Sequence, residues 1–133
     1  MDMTKRARLT ADAVVLKDKK VLLIKRIYDP YNNYWALPGG LHDYGEEIEK
    51  TCLRELKEEA CINGKIEKLV GVYSNPKRDP RGQVVTIAYL VSWKSGEPNA
   101  GDEVKEFKWF STDKLPKLAF DHAKIIKDAL QND

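Results

Sequence analysis

At 133 residues the chain has the length of one ordinary domain and is short for two, so a single domain over residues 1–133 with one core and one main site is expected. Hydrophobic residues make up 42%, enough for a core, while 33% charged residues and a net charge of +2 give a mixed surface and little support for binding a nucleic-acid polymer. No segment reaches the roughly 20 apolar residues that span a bilayer, and MDMTKRARLTADAVV holds no signal-type apolar run, which argues against a membrane partner and for the cytoplasm.

RLTADAVVLKD (8–18) and KVLLIKRIY (20–28) are rich in Val, Leu and Ile, and the polar residues Lys17 to Lys20 between them suit a turn, so two strands in a hairpin are expected. DPYNNYWALPGG (29–40) mixes turn formers with aromatics and closes on Pro38-Gly39-Gly40, the composition of a loop with a short strand at most. From Glu46 to Ala60 the period changes. At 100° per residue Ile48, Cys52, Leu53, Leu56 and Ala60 share one arc, which predicts an amphipathic helix bordered by Glu55 and Glu59. Cys52 and Cys61 stand nine apart, a spacing that fits neither zinc nor a redox pair, and both are expected to be small buried hydrophobes. KIEKLVGVYS (65–74), QVVTIAYLVSW (83–93) and VKEFKWF (104–110) read as strands, and LAFDHAKIIKDAL (118–130) contains a terminal helix with Asp121 at its N-cap. The sum is an α/β domain with mixed strand connections and at least two helices.

The chemistry gathers in GGLHDYGEEIEKTCLRELKEEACI. Glu55 and Glu59 are i,i+4 and Glu58 is i+3 from Glu55, so all three lie on one side of the helix, where like charges repel by a few tenths of a kcal/mol per pair. An acidic face of this kind is ordinarily solvated and paired, here with Lys50, Lys57 and Arg54. The same oxygens could instead converge on a hard cation, Mg²⁺ or alternatively Mn²⁺, and a Gly-Gly turn beside them permits close approach of a carbonyl or a phosphate.

The wider spacing decides between the two. Gly40, five residues, Glu46, seven residues, Arg54-Glu55-Leu56, one residue, Glu58-Glu59 resembles the Nudix box, the signature of the Nudix hydrolases. With its fixed residues at about 6% frequency each, such a match arises by chance in a chain of this length on the order of once in 10⁵. One position departs from the box: its closing glycine is Cys61 here. Glycine would supply the left-handed residue that stops the helix, so either Cys61 takes a different exit or Asn63-Gly64 performs the stop slightly later.

The resemblance implies a Nudix-type α/β/α sandwich, with a mixed β-sheet, a loop-helix-loop metal site and a C-terminal helix, and cleavage of a nucleoside diphosphate linked to another moiety. Carried onto matching positions, it makes Glu55 and Glu59 the principal metal ligands, Glu58 a further ligand or water-mediated partner, and Gly40 or its neighbour Gly39 a source of a backbone carbonyl. It makes Glu46 and Arg54 a salt bridge that fixes the loop to the helix. The chemistry it implies is attack of water on phosphorus, with Glu55, Glu58 or, from a loop outside the box, Glu103 taking the proton, and Glu106 as a weaker candidate.

Beyond the box, WALPGG, GVYSNPKRDPRGQVVTIAYL, AGDE and LAFDHAKII look like the ADP-ribose pyrophosphatase group, which implies ADP-ribose as substrate and AMP and ribose 5-phosphate as products. Tyr34 and Trp35, with Tyr28 and Tyr31, are candidates to stack on adenine, and Arg26, Arg78 and Arg81 are candidates to bind phosphates through forked hydrogen bonds. His122 is expected at the surface, and Phe120 either closes a pocket or anchors the last helix. Competing readings are the same chemistry on oxidised nucleoside triphosphates or dinucleoside polyphosphates, and a non-catalytic ADP-ribose-binding module. Against the module stand the intact Glu55, Glu58 and Glu59 and the few residues after the last strand, which leave no room for an added DNA-binding domain. A homodimer is expected by analogy with the resembled group.

Overall fold

The computed structural model describes residues 5–97, 99 and 104–131. The order of elements is β1 (Arg8–Lys17), β2 (Lys20–Arg26), β3 (Trp35–Ala36), β4 (Gly39–Leu41), α1 (Ile48–Ala60), β5 (Asn63–Tyr73), β6 (Val84–Ser95), β7 (Val104–Ser111) and α2 (His122–Gln131). The hairpin between β1 and β2 turns on Asp18 and Lys19, both at positive φ (53° and 61°), the conformation of a two-residue turn whose twist matches that of the strands it joins.

The sheet is mixed. β1 runs parallel to β6 from Arg8 to Val15, while its other edge is shared by β4, opposite Thr10 to Asp12, and by the start of β2, opposite Leu16 and Lys17. β2 then carries β3 and β7, and β5 forms the far edge beyond β6. The expected loop at 29–40 thus ends in an extra strand: Gly39 and Gly40 are extended against β1.

Alternation along β1 sends successive side chains to opposite faces of the sheet. Ala11, Ala13 and Val15 pack with Cys52, Leu56 and Ala60 of α1, whereas Val14 packs with Leu37 and with Ile125, Ile126 and Ala129 of α2. Each fully buried Leu or Ile contributes roughly 1.5–3 kcal/mol through removal from water, so both helices are held on the sheet by their apolar stripes. The result is the α/β/α sandwich, with α1 and α2 on opposite faces. No helix among the described residues is long and apolar enough to cross a membrane.

Cys61 takes neither of the two exits expected for it. It adopts the left-handed conformation itself (φ 63°, ψ 21°), with its N–H donated to the carbonyl of Lys57 at 3.0 Å, and Asn63 and Gly64 already belong to β5. The cysteine therefore performs the helix stop that glycine would perform. Its side chain is partly exposed, unlike that of Cys52, which is buried as expected and whose thiol burial pushes up to about 12.

Candidate active site

α1 enters from a loop braced by one ion-pair cluster. The Glu46 carboxylate accepts from Arg54 Nε at 2.8 Å, from Arg54 Nη2 at 3.1 Å and from Thr51 Oγ1 at 2.7 Å. These bonds, Arg54's first, hold Glu46 at about 2, well below an ordinary glutamate. Arg54 also donates to the Leu41 carbonyl at 3.1 Å, which joins the loop, the helix and the end of β4. The bracing expected of Glu46 and Arg54 is visible directly in these contacts.

The three helix carboxylates do not share a single point. Glu59 Oε1 accepts from the Gly39 N–H at 2.8 Å, Glu55 lies between Gly40 and Arg54 Nη1 (2.9 Å), and half-exposed Glu58 reaches the same Nη1 at 3.3 Å. Among the described residues no three acidic, His or Cys side chains stand converged as a metal cage. Arg54 supplies the positive charge for Glu55 and Glu58 and leaves Glu59 to its neighbours. Burial, opposed by the Gly39 hydrogen bond and reinforced by Glu55 and Asp12, pushes Glu59 up to about 8, and burial likewise raises Glu55. Two desolvated carboxylates, a third within one helical turn and backbone oxygen nearby form a hard-oxygen donor set that a divalent cation would neutralise.

The glycines are required by this crowding. A Cβ on Gly40 would collide with the Glu55 carboxylate, and one on Gly39 with the side chain of Asp12. Their backbones face opposite ways. Hydrogen bonds from His42 N–H to Leu9 and from Ala13 N–H to Pro38 set the ladder so that Gly40 pairs its own groups with Ala11, while those of Gly39 point toward α1. The carbonyl expected from Gly40 is therefore better placed on Gly39, because Gly40 spends its backbone on β1.

Behind this wall lies a pair that sequence reasoning missed. Asp12, on the α2 face of β1 and only 5% exposed, meets Nε2 of His122 at 3.2 Å. Nδ1 of that ring accepts from the Leu37 N–H at 3.0 Å, so Nδ1 carries no hydrogen and Nε2 is the nitrogen beside the Asp12 carboxylate. His122 is thus buried, and the surface position expected for it is wrong: the first turn of α2 faces the sheet. The available signal was Asp12 itself, a lone carboxylate in the apolar run Ala11 to Val15.

Arg26 and Arg81 line the same cleft as Glu59, together with Arg8 and Phe120. Phe120, at φ 52°, lies under both guanidiniums, 4.9 Å from Arg26 and 5.9 Å from Arg81. It lines the cleft and so takes the first of the two roles expected for it. Arg78 also reaches the cleft, but its fork goes to Asp121 (Nε 2.9 Å, with Nη2 on the other oxygen), and its Nη1 to Thr86 Oγ1 at 2.7 Å and Val84 O at 3.3 Å. It is a strut between the loop, β6 and α2 rather than a free phosphate ligand, and the Asp121 side chain serves Arg78 while its carbonyl starts α2. Tyr34 and Trp35 do not line the cleft: Tyr34 packs edge-on to Tyr31, and Trp35 on Phe110 in the α2-side core. Glu103 lies outside the described residues, and Glu106 is exposed and pairs with Lys25 at 3.5 Å.

Similarity to known proteins agrees with this geometry. The NUDIX domain model matches residues 6–129. An ADP-ribose pyrophosphatase of Methanocaldococcus jannaschii is 47% identical over 92% of this chain and 73% of its own length. An ADPR responsive transcriptional repressor of Acinetobacter baylyi is 33% identical over 83% of this chain, which spans only 46% of that protein. The NUDIX domain of Shewanella oneidensis NrtR, solved in complex with ADP ribose, superposes with a TM-score of 0.88 at 33% identity, over 99% of this chain and 93% of that one. A match over nearly the whole chain, on a fold whose box residues meet as described, makes this protein a member of the Nudix family.

Proposed function

We propose that the chain is a Nudix pyrophosphohydrolase that hydrolyses the diphosphate linkage of ADP-ribose, giving AMP and ribose 5-phosphate. The observation that carries the reading is the polarity of the cleft. Glu59, buried against the Gly39 N–H, lines one cleft together with Arg26 and Arg81, so a carboxylate and two guanidiniums share a single space. A diphosphate with a divalent cation is the ligand that satisfies both kinds of charge at once. The substrate follows from the similarity to the methanogen enzyme.

Glu55, Glu58 and Glu59, with the Gly39 carbonyl, would hold the ion, for which we propose Mg²⁺, or Mn²⁺ as an alternative. When bound, such an ion supplies charge neutralisation on the phosphates and activation of water. The protein's own part begins with Arg54, whose Nη1 orients Glu55 at 2.9 Å and Glu58 at 3.3 Å. Arg26 and Arg81 bind the phosphates through forked hydrogen bonds. A carboxylate, Glu55, Glu58 or Glu103, then accepts the proton of the attacking water.

The test is turnover, with product identification, across ADP-ribose, oxidised nucleoside triphosphates and dinucleoside polyphosphates. Fast Mg²⁺-dependent release of AMP and ribose 5-phosphate from ADP-ribose is the expected result. Negligible turnover of ADP-ribose beside fast turnover of a triphosphate would transfer the activity to that substrate, and tight ADP-ribose binding with no turnover of anything would favour a sensing module.

A further inference from the structure

Asp79 is the least expected acid in the molecule. It sits in the loop between β5 and β6, whose residues are mostly exposed, yet its side chain is 3% exposed. A carboxylate withdrawn from water this far must be compensated, and three hydrogen bonds from one residue do so: the backbone N–H of Arg81 at 2.9 Å, its Nε at 3.1 Å and its Nη2 at 2.8 Å. The Gly82 N–H returns to the Asp79 carbonyl at 3.3 Å and closes the turn. Arg81 is thereby fixed at both its backbone and its guanidinium, while the side chain as a whole stays half-exposed at the cleft.

What Arg81 is fixed against is a like charge. Arg26 lies over the same Phe120 ring, its Nε tied to the Pro30 carbonyl at 3.0 Å. Arg81 disfavours the charged form of Arg26, second only to burial, and Asp79 acts in the opposite sense. Without a carboxylate behind it, a flexible Arg81 would swing away from Arg26 into solvent. Neither Nη1 of Arg81 nor the two terminal nitrogens of Arg26 have a hydrogen-bond acceptor among the described residues. Two tethered guanidiniums with spare donors, lining one cleft, present a socket for a multiply charged tetrahedral anion.

We propose that Asp79 is a positioning residue, holding Arg81 beside Arg26 so that the two arginines grip one phosphate of a diphosphate ester. The inference rests on the proposed reaction for the identity of the ligand, and it concerns affinity rather than the chemical step. Asp79 touches neither substrate nor ion in this arrangement; it acts through Arg81.

The test is a two-residue cycle read by calorimetry with α,β-methylene-ADP, a diphosphate analogue that is not cleaved, in the presence of Mg²⁺. Arg81→Ala and Asp79→Asn are each expected to weaken binding by about tenfold, the loss of one charged hydrogen-bonding partner, and the double variant to be no weaker than Arg81→Ala alone. With ADP-ribose as substrate, Asp79→Asn is expected to raise KM by about the same factor and leave kcat within about twofold. Should Asp79→Asn fail to fold, Arg81→Lys carries the test, because a lysine cannot hold Asp79 and a phosphate through one fork; about tenfold weaker binding is expected. Wild-type protein that does not bind the analogue, affinity for Asp79→Asn or Arg81→Lys within twofold of wild type, or losses that multiply in the double variant would each overturn the inference. Wild-type protein that binds the analogue but leaves ADP-ribose uncleaved would overturn the proposed reaction and leave the clamp standing.

Discussion

Glu59 is a carboxylate taken out of water with one backbone N–H as its partner and with Glu55 and Asp12 adding to the burden of burial. In metal-free protein its proton is held up to about 8, against 4.5 for an ordinary glutamate. The folded state therefore binds a proton that the unfolded chain releases, so this group's contribution to stability is full below 4.5 and falls away as pH rises toward 8. Glu59→Gln cannot ionise, and thermal melts in chelator from about pH 5 to about pH 9 should show a shallower decline than wild type. Glu46 has the opposite sign. Arg54 and Thr51 hold it down to about 2, so its contribution is present above 4.5 and lost as pH falls toward 2; Glu46→Gln should lose stability at neutral pH and part of the acid sensitivity in that window. The placement of Glu59 one turn from Glu55 and the pairing of Glu46 with Arg54 were legible in the sequence, because a helix fixes i,i+4 neighbours and the box spacing fixes the brace. Asp12, Asp79 and the burial of His122 were not, because their partners come from other elements: the ring of His122 meets a backbone N–H 85 residues away.

At the scale of elements, the end of α1 shows how a departure from the box is accommodated. A left-handed conformation costs an L-residue roughly 1–2 kcal/mol, and Cys61 bears that cost to turn the chain directly into β5. Cys61→Gly should raise stability by about 0.5–1 kcal/mol, the relief being partly offset by the greater freedom of glycine in the unfolded chain. Equilibrium denaturation measures it, and a loss of stability would mean that the thiol's own packing outweighs the backbone cost. Strand and helix positions were legible from periodicity within a few residues, as in β1 and β2. The short β4 was not, since Gly39-Gly40 reads locally as a turn and becomes a strand only through its pairing with β1. The role of Arg78 was hidden for the same reason: its acceptors lie on β6 and just before α2, brought together by the sheet.

At the scale of the molecule, the sandwich gathers Glu59 of α1, Gly39 and Gly40 of β4, Arg26 of β2, Arg81 of the loop after β5 and Phe120 into one cleft. No single element supplies that cleft, which is why the i,i+4 spacing of the helix carboxylates was legible in the sequence while the arginines entered only as candidates. In the proposed reaction the α1 carboxylates and a divalent cation together cleave the diphosphate of ADP-ribose. The most direct measurement is initial rate against Mg²⁺ concentration for wild type and Glu59→Gln on ADP-ribose, with AMP and ribose 5-phosphate quantified as products. The expected result is turnover that requires Mg²⁺ in wild type and falls by about 100-fold or more in Glu59→Gln, on the scale of losing one electrostatic contributor to a transition state. Turnover that survives chelation, or a Glu59→Gln protein as active as wild type, would contradict it.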